Sequence, residues 1–341
     1  MPTKRVTSFD VAKRAGVSRS VVSAVLNDTP GIGVSREKRE AVLQAIRELN
    51  YHVDARASGM KTGKSFCIAA FGDTRNPLFL QVLEGIQRAC AEYGFHILLS
   101  GDPGKNLSKL ADLYFQRRID GIISLDSVNY ADGEWMKERE NAKIPFVSIE
   151  GYAEQCEVVS ILVDYGQSVQ QALNYMNKST CLKPVYVIFK HPEETENWAE
   201  RDRREAYLAW CRQSGIPPVV RFLTMGEEEE GVLQLLKELT SDDPSVVPAI
   251  LINWSIGVTT IYRKAHELKL RIGVDVLIMS ADNTLRNNQS MVPMLSVMEI
   301  PYVHMGEMAV HALNEQIKQE SVQSAPTKLW VKAELKPGES S

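Results

Sequence analysis

From Phe66 onward, short apolar runs of strand length alternate with amphipathic stretches of helical length. Runs rich in Val, Ile and Leu and separated by helices are typical of parallel sheets that are buried on both faces. The series restarts near Asp164, which predicts two similar α/β lobes. The predicted strands are Phe66–Phe71, Phe95–Ser100, Gly121–Leu125, Phe146–Ile149, Val185–Phe189, Val219–Leu223, Ala249–Asn253 and Val276–Ser280, and the helices between them include Phe79–Tyr93, Gly166–Asn177, Arg201–Ser214 and Gly257–Leu270.

The same pattern predicts how the chain is divided. A late helix, Tyr302–Glu320, and a last strand near Leu329–Val331 are expected to return across the two lobes. The predicted parts are an all-α head at 1–50, a hinge segment at 51–65, an α/β body at 66–335 and a tail at 336–341. Within the body, the first lobe takes 66–164 with 300–322, and the second takes 165–299 with 323–335.

Composition excludes several classes of protein. The 341 residues are 44% hydrophobic and 24% charged, as in soluble globular proteins. No apolar run approaches the roughly 18 residues that span a bilayer, and the start of the chain lacks the apolar core of a secretory signal. We therefore expect a cytoplasmic protein. The five cysteines and six histidines are scattered, without the spacing of a metal site or a catalytic set, so we expect no cofactor, no metal and no enzymatic activity.

Charge is divided unevenly along the chain. Residues 1–65 hold twelve Lys and Arg against six Asp and Glu, whereas the whole chain has a formal net charge of −4. A basic head on an acidic body favours a head that meets a polyanion such as nucleic acid. A basic face that is merely solvated is the alternative interpretation.

The first fifty residues predict three short helices. Thr7 can cap the first helix, and Asp10, three residues later, can return a hydrogen bond as in a capping box. Gly16 follows, where a tight turn needs a residue that tolerates a positive φ. Ser18 can cap the second helix, and residues 36–49 form the third. Two short helices joined by a turn that contains Gly are typical of a helix-turn-helix.

In a helix-turn-helix, the start of the second helix enters the major groove of DNA. Here that start is Ser18-Arg19-Ser20, followed one turn later by Ser23 and Ala24. Arg19 is the best candidate for reading a base, because a guanidinium can pair with guanine through two hydrogen bonds. A contact to a DNA phosphate is the other interpretation of Arg19, since most protein–DNA hydrogen bonds go to the backbone.

The head resembles that of a known family. Its pattern is Val6-Thr7-Ser8-Phe9-Asp10-Val11-Ala12, Ala15-Gly16-Val17-Ser18, Val22-Ser23, Val25-Leu26-Asn27, Val34-Ser35 and Leu49-Asn50-Tyr51. With these residues the chain is similar to the lac repressor family of bacterial transcriptional regulators, and the resemblance extends over essentially its whole length. It implies a homodimer that binds a near-palindromic, double-stranded DNA operator.

The resemblance also implies a hinge helix, which forms when two subunits sit on an operator. An apolar hinge side chain then enters the minor groove and bends the DNA, and Met60 occupies that place here. Asp54 departs from the family pattern, because its carboxylate would face a surface rich in phosphate. The DNA-binding residues implied are Thr7, Ser18, Arg19, Ser20, Ser23, Ala24, Asn27, Tyr51, Ala57 and Met60.

The body resembles the periplasmic sugar-binding proteins, in which ligands collect beyond the carboxyl ends of the strands of two lobes. This resemblance implies a small-molecule effector, sugar or sugar-derived. The effector-binding residues implied are Asn76, Phe79, Glu150, Arg203, Asn253, Trp254 and Asp282.

The chemistry of these side chains suits a sugar. A sugar hydroxyl both donates and accepts, so an Arg donor, an Asp acceptor and a bifunctional Asn make a complementary set. Other interpretations remain open: a structural salt bridge for Arg203 and Asp282, and a strand-end or capping role for Asn253. Trp254, which replaces a family Asp, can stack on an apolar ring face or cover the crevice.

The sequence favours a ligand-controlled repressor. The alternative is a regulator whose body docks a protein partner or has lost its response to a ligand. An enzyme has no support, because the chain lacks a nucleophile elbow and a dinucleotide-binding loop. We expect the dimer to work on the DNA of the nucleoid.

Overall fold

The computed structural model of the protein describes residues 6–26, 33–52, 63–101, 108–125, 133–152, 154, 157–177, 183–190, 196–241, 247–286, 288–318 and 327–341. The chain forms two compact units, Met1–Ser65 and Phe66–Ser341. We call them the head and the body. Each has a hydrophobic core of its own.

The head consists of three helices: α1 (Ser8–Ala15), α2 (Arg19–Leu26) and α3 (Arg36–Glu48). The backbone N–H and the hydroxyl group of Thr7 both donate to Asp10 Oδ2, at 2.8 and 2.7 Å. Gly16 ends α1 with a φ of 68°, a left-handed conformation that glycine adopts without steric cost. The predicted helix-turn-helix is confirmed.

Three valines, one from each helix, hold the head together. Val11, Val22 and Val42 are completely buried, with Ala12 and Ala45 around them. Burial of each valine stabilises the head by roughly 1.5–3 kcal/mol relative to an exposed side chain. The small side chain of Ala12, which is buried in this core, lets α1 and α2 approach each other.

The body contains two six-stranded sheets, one in each lobe. The strand order is β11-β5-β4-β3-β1-β2 in the first sheet and β12-β10-β9-β8-β6-β7 in the second. The strands are β1 (Cys67–Phe71), β2 (His96–Ser100), β3 (Gly121–Leu125), β4 (Phe146–Ile149), β5 (Val159–Val163), β6 (Lys183–Lys190), β7 (Val219–Thr224), β8 (Pro248–Ile252), β9 (Leu277–Ser280), β10 (Ser296–Glu299), β11 (Lys328–Val331) and β12 (Glu334–Lys336).

Helices connect and cover these strands. They are α4 (Pro77–Tyr93), α5 (Ser108–Phe115), α6 (Gly133–Ala142), α7 (Tyr165–Met176), α8 (Trp198–Ser214), α9 (Glu228–Ser241), α10 (Val258–Glu267) and α11 (Tyr302–Lys318). The two-lobed parallel architecture that the sequence predicts is confirmed.

Two helices of the first lobe, α4 and α11, pack backbone against backbone. A Cβ atom on Gly85 would lie 1.8 Å from the carbonyl oxygen of Val303, and one on Gly306 would lie 2.2 Å from that of Val82. Only glycine fits at these two positions. The contact fixes α11 on the first sheet and brings Tyr302, at its start, to the edge where that sheet meets the second lobe.

The last residues lie elsewhere than the sequence suggests. The interpretation that 323–335 belongs to the second lobe is corrected by β11, which pairs in parallel with β5 of the first sheet, while β12 pairs with β10 of the second. Residues 336–341 are not a free tail. Ser340 is buried in the second lobe, where its hydroxyl donates to Ile278 O at 2.6 Å and accepts from Ser296 N at 2.9 Å.

In the described part of the chain, no helix is both long enough and apolar enough to cross a membrane.

Candidate functional sites: the helix-turn-helix surface and the interlobe cleft

The start of α2 presents an exposed polar surface. Ser18, Arg19 and Ser20 are all exposed, and the hydroxyl groups of the two serines are 2.8 Å apart. Ser18 also caps the helix, because its Oγ accepts from Val21 N at 3.4 Å. Arg19 therefore projects from a helix start that its neighbours stabilise, in the position that a base-reading side chain needs.

The other predicted DNA-binding residues are placed less uniformly. Thr7 is exposed at the start of α1, Ser23 is half-buried, and Tyr51 packs partly against the head core. Ala24 is a correction: it lies on the inner side of α2 and is only 4% exposed, so its methyl group does not reach a base edge in this structure. Asn27, Asp54, Ala57 and Met60 lie outside the described residues.

In the body, Arg203 occupies the most unusual environment. It lies on α8, is fully buried, and has no hydrogen-bond partner in the structure for Nε, Nη1 or Nη2. Its Cζ lies 3.9 Å from the ring centroid of Tyr165 and 4.2 Å from that of Trp254. The guanidinium gains cation–π attraction from both rings. Burial lowers its pKa, but nearby Tyr165, Tyr302, Asp282 and Glu150 raise the pKa above its ordinary value, so the cation is kept although its N–H groups have no hydrogen bonds in place of water.

Trp254 is held in place by the same helix that carries Arg203. Its indole N–H donates to Glu200 Oε1 at 3.0 Å. Glu200 is fixed in turn by a capping box with Asn197 at the start of α8. Because Glu200 and Arg203 are one helical turn apart, α8 sets both the guanidinium and the ring that covers it.

Asp282 follows β9, and its carboxylate is already saturated by the protein. Oδ1 accepts from Ser255 N at 2.6 Å and Ser280 Oγ at 3.1 Å. Oδ2 accepts from the backbone N–H of Thr284 at 3.0 Å and from the Thr284 hydroxyl group. A carboxylate has about four acceptor sites, and all four are used here.

Asn253, just after β8, ties two strand ends together. Its Oδ1 accepts from Phe189 N at 3.0 Å, and its Nδ2 lies 3.5 Å from Phe189 O. The side chain is completely buried. This is the strand-end role that the sequence leaves open beside ligand contact.

Glu150 joins the two lobes at the end of β4. It is buried, has a positive φ of 56°, and accepts a hydrogen bond from the Tyr165 hydroxyl group at the start of α7. Burial raises the pKa of the Glu150 carboxyl group above its ordinary value, although Arg203 and Tyr165 act in the opposite direction. The neutral acid is therefore favoured over a wider pH range than in water.

Asn76 and Phe79 shape the beginning of α4. Asn76 caps the helix, since its Oδ1 accepts from Leu78 N at 3.0 Å. Phe79 is buried against Gly72, where a Cβ atom would lie 2.4 Å from the ring. Phe79 thus forms part of the first-lobe core, beside the strand ends.

Four residues of this region have no signal in the sequence pattern. Glu200 orients Trp254, and Tyr165 contacts Arg203 and Glu150. Tyr186 and Tyr302 are buried near Arg203; the Tyr186 hydroxyl group has no hydrogen-bond partner among the described residues, and the Tyr302 hydroxyl group lies beside that of Tyr165. We call Glu150, Tyr165, Tyr186, Arg203, Trp254, Asp282 and Tyr302 the interlobe site.

A hydrogen-bonded latch closes one edge of the cleft. Gln81 of α4 donates from Nε2 to the carbonyl oxygens of Asn283, at 3.2 Å, and Thr284, at 2.9 Å, and its Oε1 accepts from Arg286 Nε at 3.0 Å. Arg286 also pairs with the exposed Glu84 at 2.9 Å. Next to the latch is a surface cavity of about 380 Å³ between α4 and the loop after β9.

Titratable side chains do not assemble into a metal site: in the part of the chain that the structure describes, no three His, Cys, Asp or Glu residues are grouped to hold an ion. The chain thus combines a helix-turn-helix that has an exposed cation at the start of its second helix with a two-lobed body. The body buries a cation that has no hydrogen bond from the described residues. This combination defines the class of ligand-responsive DNA-binding regulators.

Comparison with known proteins agrees with this class. The family described as "Bacterial regulatory proteins, lacI family" matches residues 9–54, and "Periplasmic binding protein-like domain" matches residues 180–341. The catabolite control protein A of Priestia megaterium is 26% identical over 330 residues, covering 95% of this chain and 96% of that protein. The HTH-type transcriptional repressor PurR of Erwinia tasmaniensis is 25% identical over 340 residues, covering 95% and 94%.

A solved structure shows the same fold. The lac repressor dimer bound to operator and the anti-inducer ONPF superposes with a TM-score of 0.81 at 19% identity, covering 99% of each chain. Along the sequence, the head matches the lacI family of bacterial regulatory proteins, and the chain as a whole is similar to repressors with this head and a periplasmic binding protein-like body.

Proposed function

We propose that the protein is a transcriptional repressor whose head binds operator DNA and whose interlobe site binds a small effector that controls this binding. The observation that carries the proposal is Arg203, a buried cation in the cleft that has no hydrogen-bond partner among the residues that the structure describes. A buried charge of this kind is costly, so a ligand that satisfies it gains affinity. Such a protein acts on the DNA of the bacterial cytoplasm.

For the head, we propose that the protein acts as a homodimer on a near-palindromic operator. The lac repressor dimer on its operator supports this arrangement. Two helix-turn-helix heads read half-sites that are related by the two-fold axis of the dimer. Arg19, exposed at the start of α2, is the proposed base-reading residue, with Ser18, Ser20 and Ser23 beside it.

For the body, we propose that the effector bridges the lobes. Arg203 is the primary contact, Trp254 and Phe79 are walls, and Glu150 approaches from the first lobe. Asn253 and Asp282, whose polar atoms are already bonded to the protein, contribute by fixing the strand ends around the ligand. Binding to one lobe arrangement in preference to another supplies the coupling to DNA affinity.

Gel-shift titration with an operator selected from random DNA tests the proposal. Arg203→Ala is expected to leave operator binding without ligand nearly unchanged and to abolish the ligand's effect on it. Arg201→Ala is the matched control, since Arg201 lies on the same helix but is half-exposed and paired with Glu154. If Arg203→Ala protein still responds at the ligand concentration that acts on the wild type, the effector does not bind at Arg203 in the cleft. A wild-type protein that binds no operator would refute the DNA-binding role.

A further inference from the structure

The interlobe site has an imbalance between hydrogen-bond donors and acceptors. Of its two carboxyl groups, Asp282 takes four hydrogen bonds from Ser255, Ser280 and Thr284, and Glu150 accepts one from the Tyr165 hydroxyl group. Nearby, the Asn253 amide oxygen accepts from Phe189 N. Among the described residues, the groups of the site that lack hydrogen-bond partners are able to donate, namely the guanidinium nitrogens of Arg203 and the hydroxyl group of Tyr186, and the Tyr302 hydroxyl group lies near them beside Tyr165.

The unpartnered groups are also charged or firmly protonated. Arg203 is a permanent cation. Burial raises the pKa of the Tyr186 and Tyr302 hydroxyl groups above the ordinary value, so both keep their protons at neutral pH. A neutral sugar hydroxyl would add a donor of its own to a site that already has an excess of donors. An oxyanion adds only acceptors.

The geometry around Arg203 restricts the shape of that oxyanion. The Tyr165 ring at 3.9 Å and the Trp254 ring at 4.2 Å leave the guanidinium edge as the surface for hydrogen bonds. An edge with parallel N–H groups matches two oxygens on one atom, as in a carboxylate or a phosphate. Asp282 and Glu150 attract the guanidinium electrostatically, but neither gives it a hydrogen bond among the described residues, so its N–H groups remain for the oxygens of a ligand.

We infer that the effector is an anion, a small polyhydroxylated acid or phosphate ester whose paired oxygens bind the edge of Arg203 while Tyr186 and Tyr302 donate to its acceptors. This inference rests on the proposed function and narrows its ligand from sugars in general to their acidic derivatives.

Thermal unfolding of the full-length dimer with matched ligands tests it. The probes are glucose with gluconate, glucuronate and glucose 6-phosphate, and galactose with galactonate, galacturonate and galactose 1-phosphate. An acid or phosphate at a hundredfold excess over its dissociation constant is expected to raise Tm by roughly 5–10 °C, whereas its neutral parent has little effect. The carboxylate and phosphate arms decide which oxyanion is bound.

Variants connect the shift to the site. Arg203→Lys keeps the charge but loses the paired donors, and we expect at least about tenfold weaker binding of the acid. Tyr302→Phe removes one donor without changing the shape of the core, and we expect roughly fivefold weaker binding. Arg201→Lys is the control and should bind as the wild type. Unchanged circular dichroism and operator binding show that each variant is folded.

Two results would overturn the inference. One is a neutral sugar that stabilises the protein as much as its acid does. The other is the absence of any shift with the six acids and phosphates. A neutral sugar that acts through Arg203 would leave the proposed repressor function intact, and operator binding measured separately would show whether the DNA-binding role holds.

Discussion

The latch at Gln81 gives a quantitative prediction about lobe closure. In Gln81→Leu, a side chain of similar size loses two hydrogen bonds to the carbonyl oxygens of Asn283 and Thr284 and one from Arg286. Gln81 is only 5% exposed, so these bonds are shielded from water. At about 1 kcal/mol net for each bond, the closed arrangement loses about 3 kcal/mol. The open arrangement loses nothing, because water then bonds the carbonyl groups of Asn283 and Thr284. This difference corresponds to an approximately 150-fold lower ratio of closed to open body.

Small-angle scattering and hydrogen exchange measure this change. The radius of gyration of the ligand-free protein should increase, and the amides of residues 281–286 should exchange faster. Tm should change less, because opening the edge leaves each lobe core intact. Gln87→Leu is the matched control, on an exposed position of the same helix, and should behave as the wild type. If Gln81→Leu keeps the scattering curve and the exchange rates of the wild type, the latch does not hold the lobes.

Three further predictions concern the head, the buried acid and the helix pair. Arg19→Ala should lose about 1–3 kcal/mol of operator affinity and little of the affinity for random DNA in gel shifts; equal losses on both would make Arg19 a phosphate contact. Because the folded-state pKa of Glu150 is raised, its stabilisation is complete below the unfolded pKa and is lost as pH rises through the folded value. The Tm of Glu150→Gln minus that of the wild type should therefore rise with pH, and a constant difference would contradict the reasoning. Gly306→Val should lower the free energy of unfolding by about 1–3 kcal/mol or more in urea, whereas Gly166→Ala, which has room for a Cβ atom, should not.

Local sequence patterns predict much of the fold. The spacing of Val22 and Val25, the cap at Thr7 and the turn at Gly16 are sufficient for the helix-turn-helix, because each depends on neighbours within a few residues. Long apolar runs identified most of the strands for the same reason. The sequence interpretation passed over β5, because it follows β4 without the helix that the alternating pattern leads one to expect. It also passed over β10 and over β12, which is only three residues long.

The site was less accessible from sequence. The resemblance to a family implied Arg203, Trp254 and Asp282 as effector contacts, and the structure places these three residues close together. It could not indicate that Asp282 is saturated by its own loop, because that depends on the backbone geometry of Ser255 and Thr284. Tyr302 and Gln81 reach the cleft only through the packing of α4 on α11, which no local pattern records.

Arg203 and the latch act in opposite directions on the ligand-free body. Closure removes water from three guanidinium nitrogens that receive no hydrogen bond from the described residues, which disfavours the closed arrangement. Attraction by Asp282 and Glu150 and the three hydrogen bonds of Gln81 offset this cost. A ligand that supplies acceptors to Arg203 removes the desolvation cost of the guanidinium and leaves the hydrogen bonds of Gln81 unchanged. It therefore favours closure by the free energy with which the desolvation of Arg203 opposed it. Because linkage is reciprocal, the free energy by which the ligand favours closure also appears as its effect on operator affinity, where closure changes how the heads bind.

Two variants test this balance. Gln81→Leu should weaken ligand binding by up to the factor by which it opens the body. Arg203→Met should stabilise the ligand-free protein and abolish the effect of the ligand on operator binding. If Arg203→Met instead lowers Tm, and the double variant Arg203→Met, Glu150→Gln has the same lowered Tm, the reasoning is wrong. Arg203 is then a structural cation held by the Tyr165 and Trp254 rings.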